Sequence, residues 1–398
     1  MVTNILLARA LGKQQFGAWN YLFSFMTLFC LLADGGISGA SRAWVAKAQY
    51  EGNIKSVLRC AVLMRLLVSL FAASLLAALA GILARAIERP DFLVPLRLAS
   101  FFVLAQGGCD FLKAVFEGLH RNRFTFIVSI TEQIGKVGFA FAMCYATAHI
   151  EILVSGFAAV SAVASAMGLV FLYHGFYKPV PMGDAEPVLR PMLRYAAPLF
   201  VVSLGASLCL EMGTLMLGYL AGDEQVAVFA PAKQLTMKAF HIGAILSAGT
   251  APVFANLAAE QLPYLRSLMN RLLMIILAVF ALLSLFFVVF ARPIIAVLYG
   301  PQYQDGALCL RLMTPFMVAM GVSSLVQLIM DYRGRAVRRA INLSCSIILG
   351  LLLNYLLIPR YWAVGTALAT SLSFLPYVIL NWLEARSSLK QPQPGRAH

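Results

Sequence analysis

The chain has 398 residues, of which 61% are apolar and only 12% charged. Soluble domains carry about 25% charged residues, and the mean hydropathy here is +0.82, so a soluble enzyme, a disordered chain and a single-span receptor are excluded. The 31 Lys and Arg against 17 Asp and Glu give a net charge of +14, which reads as basic loops flanking membrane spans and not as a nucleic-acid surface.

A spanning helix needs roughly 20 mostly apolar residues. The first stretch, Met1–Leu11, is apolar but too short, and is expected to be the second half of a helix whose start is missing. No small-residue cleavage site follows it, which argues against a signal peptide. Complete spans are then predicted at 16–40, 57–84, 95–119, 124–146, 151–174, 195–220, 226–257, 271–290, 306–330, 339–359 and 362–383. With the partial first helix the expected count is about twelve. These runs are too long for barrel strands and lack their alternation. The fold class expected is therefore an all-α polytopic membrane protein.

The longest hydrophilic link is Gly175–Arg194, with Pro179, Pro181, Pro187 and Pro191. It predicts an N-terminal helical bundle at 1–178, a cytoplasmic linker at 179–194, a C-terminal bundle at 195–385 and a cytoplasmic tail at 386–398. Two six-helix halves suit a secondary transporter, whose site lies near the midplane. Basic residues on alternate loops number 18 on the side of Arg42, Lys55, Arg121, Arg335 and Arg386, and 7 on the side of Arg9, Arg89 and Arg360. The excess places the first side, with the C-terminus, in the cytoplasm.

The remaining basic residues, Arg65, Lys113, Lys136, Lys233, Lys238 and Arg311, fall inside spans. A charge at the bilayer centre costs at least about 2.5–3.5 kcal/mol, so it needs a cavity or a partner. Arg65, near a span end, is expected to snorkel. Arg311 either guards an outer mouth or snorkels. Asp110, Lys113 and Glu117 share one helix face, and Glu132 and Lys136 another, on antiparallel neighbours. They either close a neutral ion-pair seam or line a hydrated wall that meets an anion.

Lys233, Gln234, Lys238 and His241 lie on one helix with no acid nearby in sequence. Lys238 is about 18 Å from the start of the predicted span. It calls for Glu211 as a partner or for a bound anion. Lys113, Lys136, Lys233 and Lys238 are expected to face a shared central cavity. The interruptions Gly249–Pro252 and Arg194–Pro198 suggest bent helices beside it.

No catalytic constellation is apparent. The five histidines show no HxxxH spacing, and no Walker A, GxSxG or acidic metal-binding motif occurs. The seven cysteines form no CxxC or Cys/His cluster and read as apolar packing residues. No catalytic residue, metal or bound cofactor is expected.

Several stretches together resemble a known family. Leu6-Leu7-Ala8-Arg9-Ala10-Leu11-Gly12, followed by Phe16-Gly17, resembles the "LLAR-LG---FG" opening of bacterial polysaccharide flippases. Leu32–Ser38 is similar to "ADLGLS", Arg194–Pro198 to "RYGLP" and Thr214–Tyr219 to "TLMLGY". Tyr299–Tyr303 is similar to "FGPEY", Leu357–Tyr361 to "LIPRYG" and Ala363–Thr370 to "GLVGAALAT". The family is the polysaccharide-transporter branch (O-antigen and exopolysaccharide flippases) of the multidrug/oligosaccharidyl-lipid/polysaccharide flippase superfamily. Two departures stand out. Gly213 occupies the place where the family often has Asp before "TLMLG", with Glu211 two residues earlier. The usual "TGR" reads Asp331-Tyr332-Arg333-Gly334-Arg335.

The resemblance implies two six-helix bundles in a V-shape in the bacterial inner membrane. It implies movement of an undecaprenyl-pyrophosphate-linked oligosaccharide from the cytoplasmic to the periplasmic leaflet. Partners would be membrane lipid, that lipid-linked glycan, and the polymerase and glycosyltransferases of the same pathway. The transporter would use no cofactor, and a proton or sodium gradient is the candidate energy source. The substrate-binding residues expected are Lys113, Lys136, Lys233, Lys238, His241 and Arg311, with Asp110, Glu132 and Glu211 as charge partners. The alternatives are a cation-coupled multidrug exporter of the same superfamily and, further off, a polytopic glycan-pathway enzyme. The first would need an acidic cavity. The second would need a large outer loop, and the longest here is about Arg85–Arg97.

Overall fold

A computed structural model of the chain describes residues 1–145, 149–177, 188–238, 262–332 and 335–388. The described residues are helical with no strand. In chain order the helices are α1 (Val2–Asp34), α2 (Ile37–Glu51), α3 (Ile54–Ala86), α4 (Leu93–Gly118), α5 (Asn122–Met143) and α6 (Ile150–Leu172). They continue with α7 (Leu189–Ala221), α8 (223–238), α9 (Leu262–Leu298), α10 (Gly306–Leu312), α11 (Thr314–Tyr332) and α12 (Ala336–Ser388). Among the described residues, eight helical stretches are long and apolar enough to cross a membrane, or nine with the α10–α11 pair, which bends by 41°.

Backbone breaks subdivide the long stretches. Gly12 (φ 71°, ψ 171°) separates the short N-terminal segment from the rest of α1. Asp34 ends α1 because Gly35 and Gly36 both adopt left-handed angles, and the Gly35 N–H bonds back to the Leu31 carbonyl. A Cβ at Gly36 would also strike the backbone of Ala196 and, at 2.9 Å, the Phe200 nitrogen. This corrects the predicted span 16–40, which ran through that break. In α9, Pro293 lacks an N–H and its ring crowds the carbonyl four residues back, and the helix breaks at Phe290 (φ −98°, ψ 16°).

α12 is a helical hairpin. Trp362 (φ 50°, ψ −125°) is non-helical. A Cβ on Gly365 would lie 2.7 Å from the Leu357 carbonyl carbon, whereas residues eight apart in a straight helix are about 12 Å apart. Asn342 donates to Asn381 at 2.8 Å, and Ser346 to the Ser373 carbonyl at 2.7 Å. These pairings run antiparallel about the turn, which places the predicted spans 339–359 and 362–383 as the hairpin's two arms.

The chain divides into two compact units: Met1–Gln15 with Tyr21–Leu208, and Phe16–Asn20 with Cys209–His398. The core of the first joins α2, α3, α4 and α6 through Val45, Leu58, Val115, Phe116 and Leu172. In the second, Phe16 packs on Tyr303 with ring centroids 5.4 Å apart, and Phe280, Tyr299 and Met317 are wholly buried. Buried Cys109, Cys209 and Cys309 are free thiols.

Candidate functional site

In the first unit the polar residues of α4 and α5 form one network. The Lys113 ammonium donates to Glu132 Oε2 at 2.5 Å and to Asp110 Oδ1 at 3.1 Å. Lys136 donates to Glu132 Oε1 at 2.5 Å and to Gln106 Oε1 at 2.7 Å. The Ser161 hydroxyl adds a 3.0 Å bond to Gln106 Oε1 from α6. Two lysines meet two carboxylates, so the network is neutral. Glu132 is almost completely buried, while the Asp110 side chain is 49% exposed. The Lys113–Glu132 pair joins α4 to α5, the contact that an ion-pair seam requires. Asp110 is the exposed acid of the network, while the Lys113 and Lys136 side chains are 19% and 12% exposed. Glu117, on the same stripe, pairs instead with Arg42 of α2 at 2.8 Å.

Arg65 does not snorkel as expected. It is 4% exposed and bonds Asp34 Oδ1 and the Gly107 carbonyl, each at 2.7 Å. Asp34 also accepts from Ser38. Asp34 and Arg65 lie 31 residues apart, so no local spacing in the sequence pairs them.

In the second unit the expected pairing is redistributed. Lys233, and not Lys238, takes Glu211, at 2.6 Å, and also reaches the Thr214 hydroxyl at 3.0 Å. Its neighbour Gln234 accepts from the Tyr299 hydroxyl at 3.1 Å and donates to Asn20 Oδ1 at 3.0 Å. Lys238 is exposed and has no partner among the described residues. It lies five residues after Lys233, about 140° around the helix, so Glu211 cannot serve both. It is about 22 Å along α8 from residue 223. Gly213 packs against Thr366 and Asn354, and a Cβ there would come within 3.0 Å of the Thr366 methyl. That crowding leaves little room for the Asp of the resembled motif.

Arg311 is held by the Val288 carbonyl at 3.0 Å. His241 lies outside the described residues. Among the described residues no group of three His, Cys, Asp or Glu could hold a metal.

A curated relative from Haloferax volcanii, named a probable low-salt glycan biosynthesis flippase Agl15, is 23% identical over 384 residues, covering 94% of this chain and 77% of that protein. An inward-facing multidrug resistance MATE family transporter of the MOP superfamily superposes with a TM-score of 0.77 at 14% identity, covering 98% of this chain and 93% of that one. The lipid II flippase MurJ, in an inward closed conformation, superposes at 0.65 and 14% identity, covering 98% and 86%. These structures show a shared fold. The MatE family matches residues 198–356, and the polysaccharide biosynthesis protein family matches residues 1–258. With about two-thirds of its length under that match, the chain belongs to the polysaccharide biosynthesis protein family.

Proposed function

We propose that the protein flips a lipid-linked oligosaccharide, carried on undecaprenyl pyrophosphate, from the cytoplasmic to the periplasmic leaflet of a bacterial inner membrane. Lys238 carries the reading. It is an exposed cation deep along α8 with no partner among the described residues, while Lys113, Lys136 and Lys233 are each neutralised by a carboxylate. A diphosphate supplies the missing negative charge, and lysine is a point-charge phosphate ligand. Without a Walker A motif, the energy comes from a proton or sodium gradient.

The test is complementation in a strain lacking its own flippase, with membrane levels of each variant matched. The readouts are surface glycan and accumulated lipid-linked precursor. Losing one charge-assisted contact costs about 1.5–3 kcal/mol, roughly a 10- to 150-fold loss of affinity. Lys238→Ala should therefore accumulate precursor, and Lys238→Arg should retain part of the function. Full complementation by Lys238→Ala would place the anion contact elsewhere.

A cation-coupled drug exporter is favoured by one observation, the half-exposed Asp110 carboxylate. Against it, Asp110, Glu132 and Glu211 each have a lysine within 3.1 Å, and Asp34 has Arg65. Little free negative charge remains among them for an organic cation.

A further inference from the structure

The first unit carries a groove between α3 and α6 whose chemistry differs from that of the ion-paired network. Its outer part encloses about 270 Å³ and is lined by Leu58, Arg59, Val62, Leu169, Tyr173 and Tyr177 among others. A second hollow of about 200 Å³ shares Val62 and Leu169 and continues toward Ser69, Gly108 and Phe111. The lining is largely apolar: the second hollow adds Ser69, Ser165 and Arg65, the last already paired with Asp34, and the first has Arg59 at one end. There Arg59 is exposed about 8 Å from the start of α3, and no described carboxylate pairs with it. The Lys55 ammonium lies 4.9 Å over the Tyr177 ring. Tyr173 and Tyr177 stack with centroids 6.0 Å apart.

That aromatic pair is set by a local change of helix. After Leu172 the chain widens into a π-helical turn, Tyr173–Tyr177, a rare form that occurs often at functional sites. Tyrosine and basic residues at a span end mark the headgroup level, and exposed Leu63 and Leu169 descend from it. The groove is also separate from the network. Leu104, Gly108 and Phe111 form one stripe of α4, at helical spacing, while Gln106, Asp110 and Lys113 form another, offset by two residues or about 200° around the helix.

We propose that this groove binds a bilayer glycerophospholipid with an anionic headgroup. One acyl chain lies along α3 and α6, and the phosphate sits against Arg59 with Lys55 and the stacked tyrosines beside it. Basic hollows between spans at the headgroup level are known takers of anionic lipid. The cation at one end and the apolar run below it match an amphiphile of that charge.

Purified full-length protein in detergent is titrated with phosphatidylglycerol and with phosphatidylcholine of the same acyl chains, and bound lipid is counted by native mass spectrometry. Phosphatidylglycerol should bind more tightly. Arg59→Gln should weaken it about fivefold, the worth of one basic residue near an anionic lipid, and leave phosphatidylcholine unchanged. Arg59→Lys should bind as the parent does. Leu169→Trp, which fills the groove, should reduce occupancy by both lipids. Equal binding of the two lipids by the parent, or unchanged phosphatidylglycerol binding by a monodisperse Arg59→Gln protein, would overturn the proposal. Displacement of phosphatidylglycerol by a lower concentration of a polyisoprenyl phosphate would also overturn it, and would assign the groove to the transported lipid.

Discussion

Glu132 neutralises two ammonium groups at once, and it is the most buried member of its network. Glu132→Gln leaves Lys136 without a carboxylate in a nearly dry site. Breaking a buried pair from one side costs about 3–5 kcal/mol. Asp110→Asn removes a half-exposed partner and leaves Glu132 in place, so its cost should stay under about 1 kcal/mol. Thermal unfolding of the two variants in detergent should separate them clearly, and equal shifts would contradict the seam. The Glu211–Lys233 pair obeys the same rule. Glu211→Gln alone should destabilise, and adding Lys233→Met should recover most of the loss. Spacing in the sequence was enough to place Asp110 with Lys113, and Glu132 with Lys136, on shared faces. It offered Glu211 to Lys238, and the structure gives it to Lys233, because partner choice depends on the rotation of α8 against α7. Gln106, Ser161 and Asn20 could not be found by charge, because uncharged polar groups carry no signal in a charge count.

At the scale of elements, two glycines make opposite demands. Gly12 and Gly36 both have positive φ, but a Cβ on Gly12 meets nothing within 4 Å, whereas on Gly36 it strikes the backbone of α7. Gly12→Ala should cost only the strain of a backbone region that is essentially glycine's (φ 71°, ψ 171°), about 1–3 kcal/mol. Gly36→Ala adds a backbone clash that overpacking studies put at about 1–3 kcal/mol more. The measurement is yield of folded protein in membranes, and equal yields would mean that α1 and α7 separate without cost. Trp362 gives the reverse case. Its angles are those of the first central residue of a type II′ turn, a place suited to glycine, and the resembled motif "LIPRYG" has glycine there. Trp362 is largely exposed, so little burial is lost on removal. Trp362→Gly should raise the thermal midpoint despite deleting the largest side chain. Run lengths located most helices, including both arms of this hairpin. They missed the α1–α2 break, since Gly35-Gly36 interrupts the backbone and not the hydropathy.

For the whole molecule, the two family matches overlap at residues 198–258, so the polysaccharide and MatE signatures share that stretch of the sequence. Composition and motif order carried the family. The glycan left no trace in the sequence, because a sugar is read by hydrogen-bonding groups whose grouping depends on packing. Orientation, by contrast, follows from charge and from the hairpin together. The reversal at Trp362 brings both ends of α12 to one side, as the Asn342–Asn381 bond requires. Those ends carry Arg335, Arg338, Arg339 and Arg386, while the turn has Arg360 alone. Cytoplasmic segments collect Lys and Arg, so the α12 ends should face the cytoplasm and the turn the opposite side. A reporter active only outside the cytoplasm should be silent when fused after Ser388 and active when inserted at Trp362, and a fluorescent protein folding only inside should give the converse. The reversed pattern would invert every span, and with it the leaflet from which the lipid-linked substrate is taken.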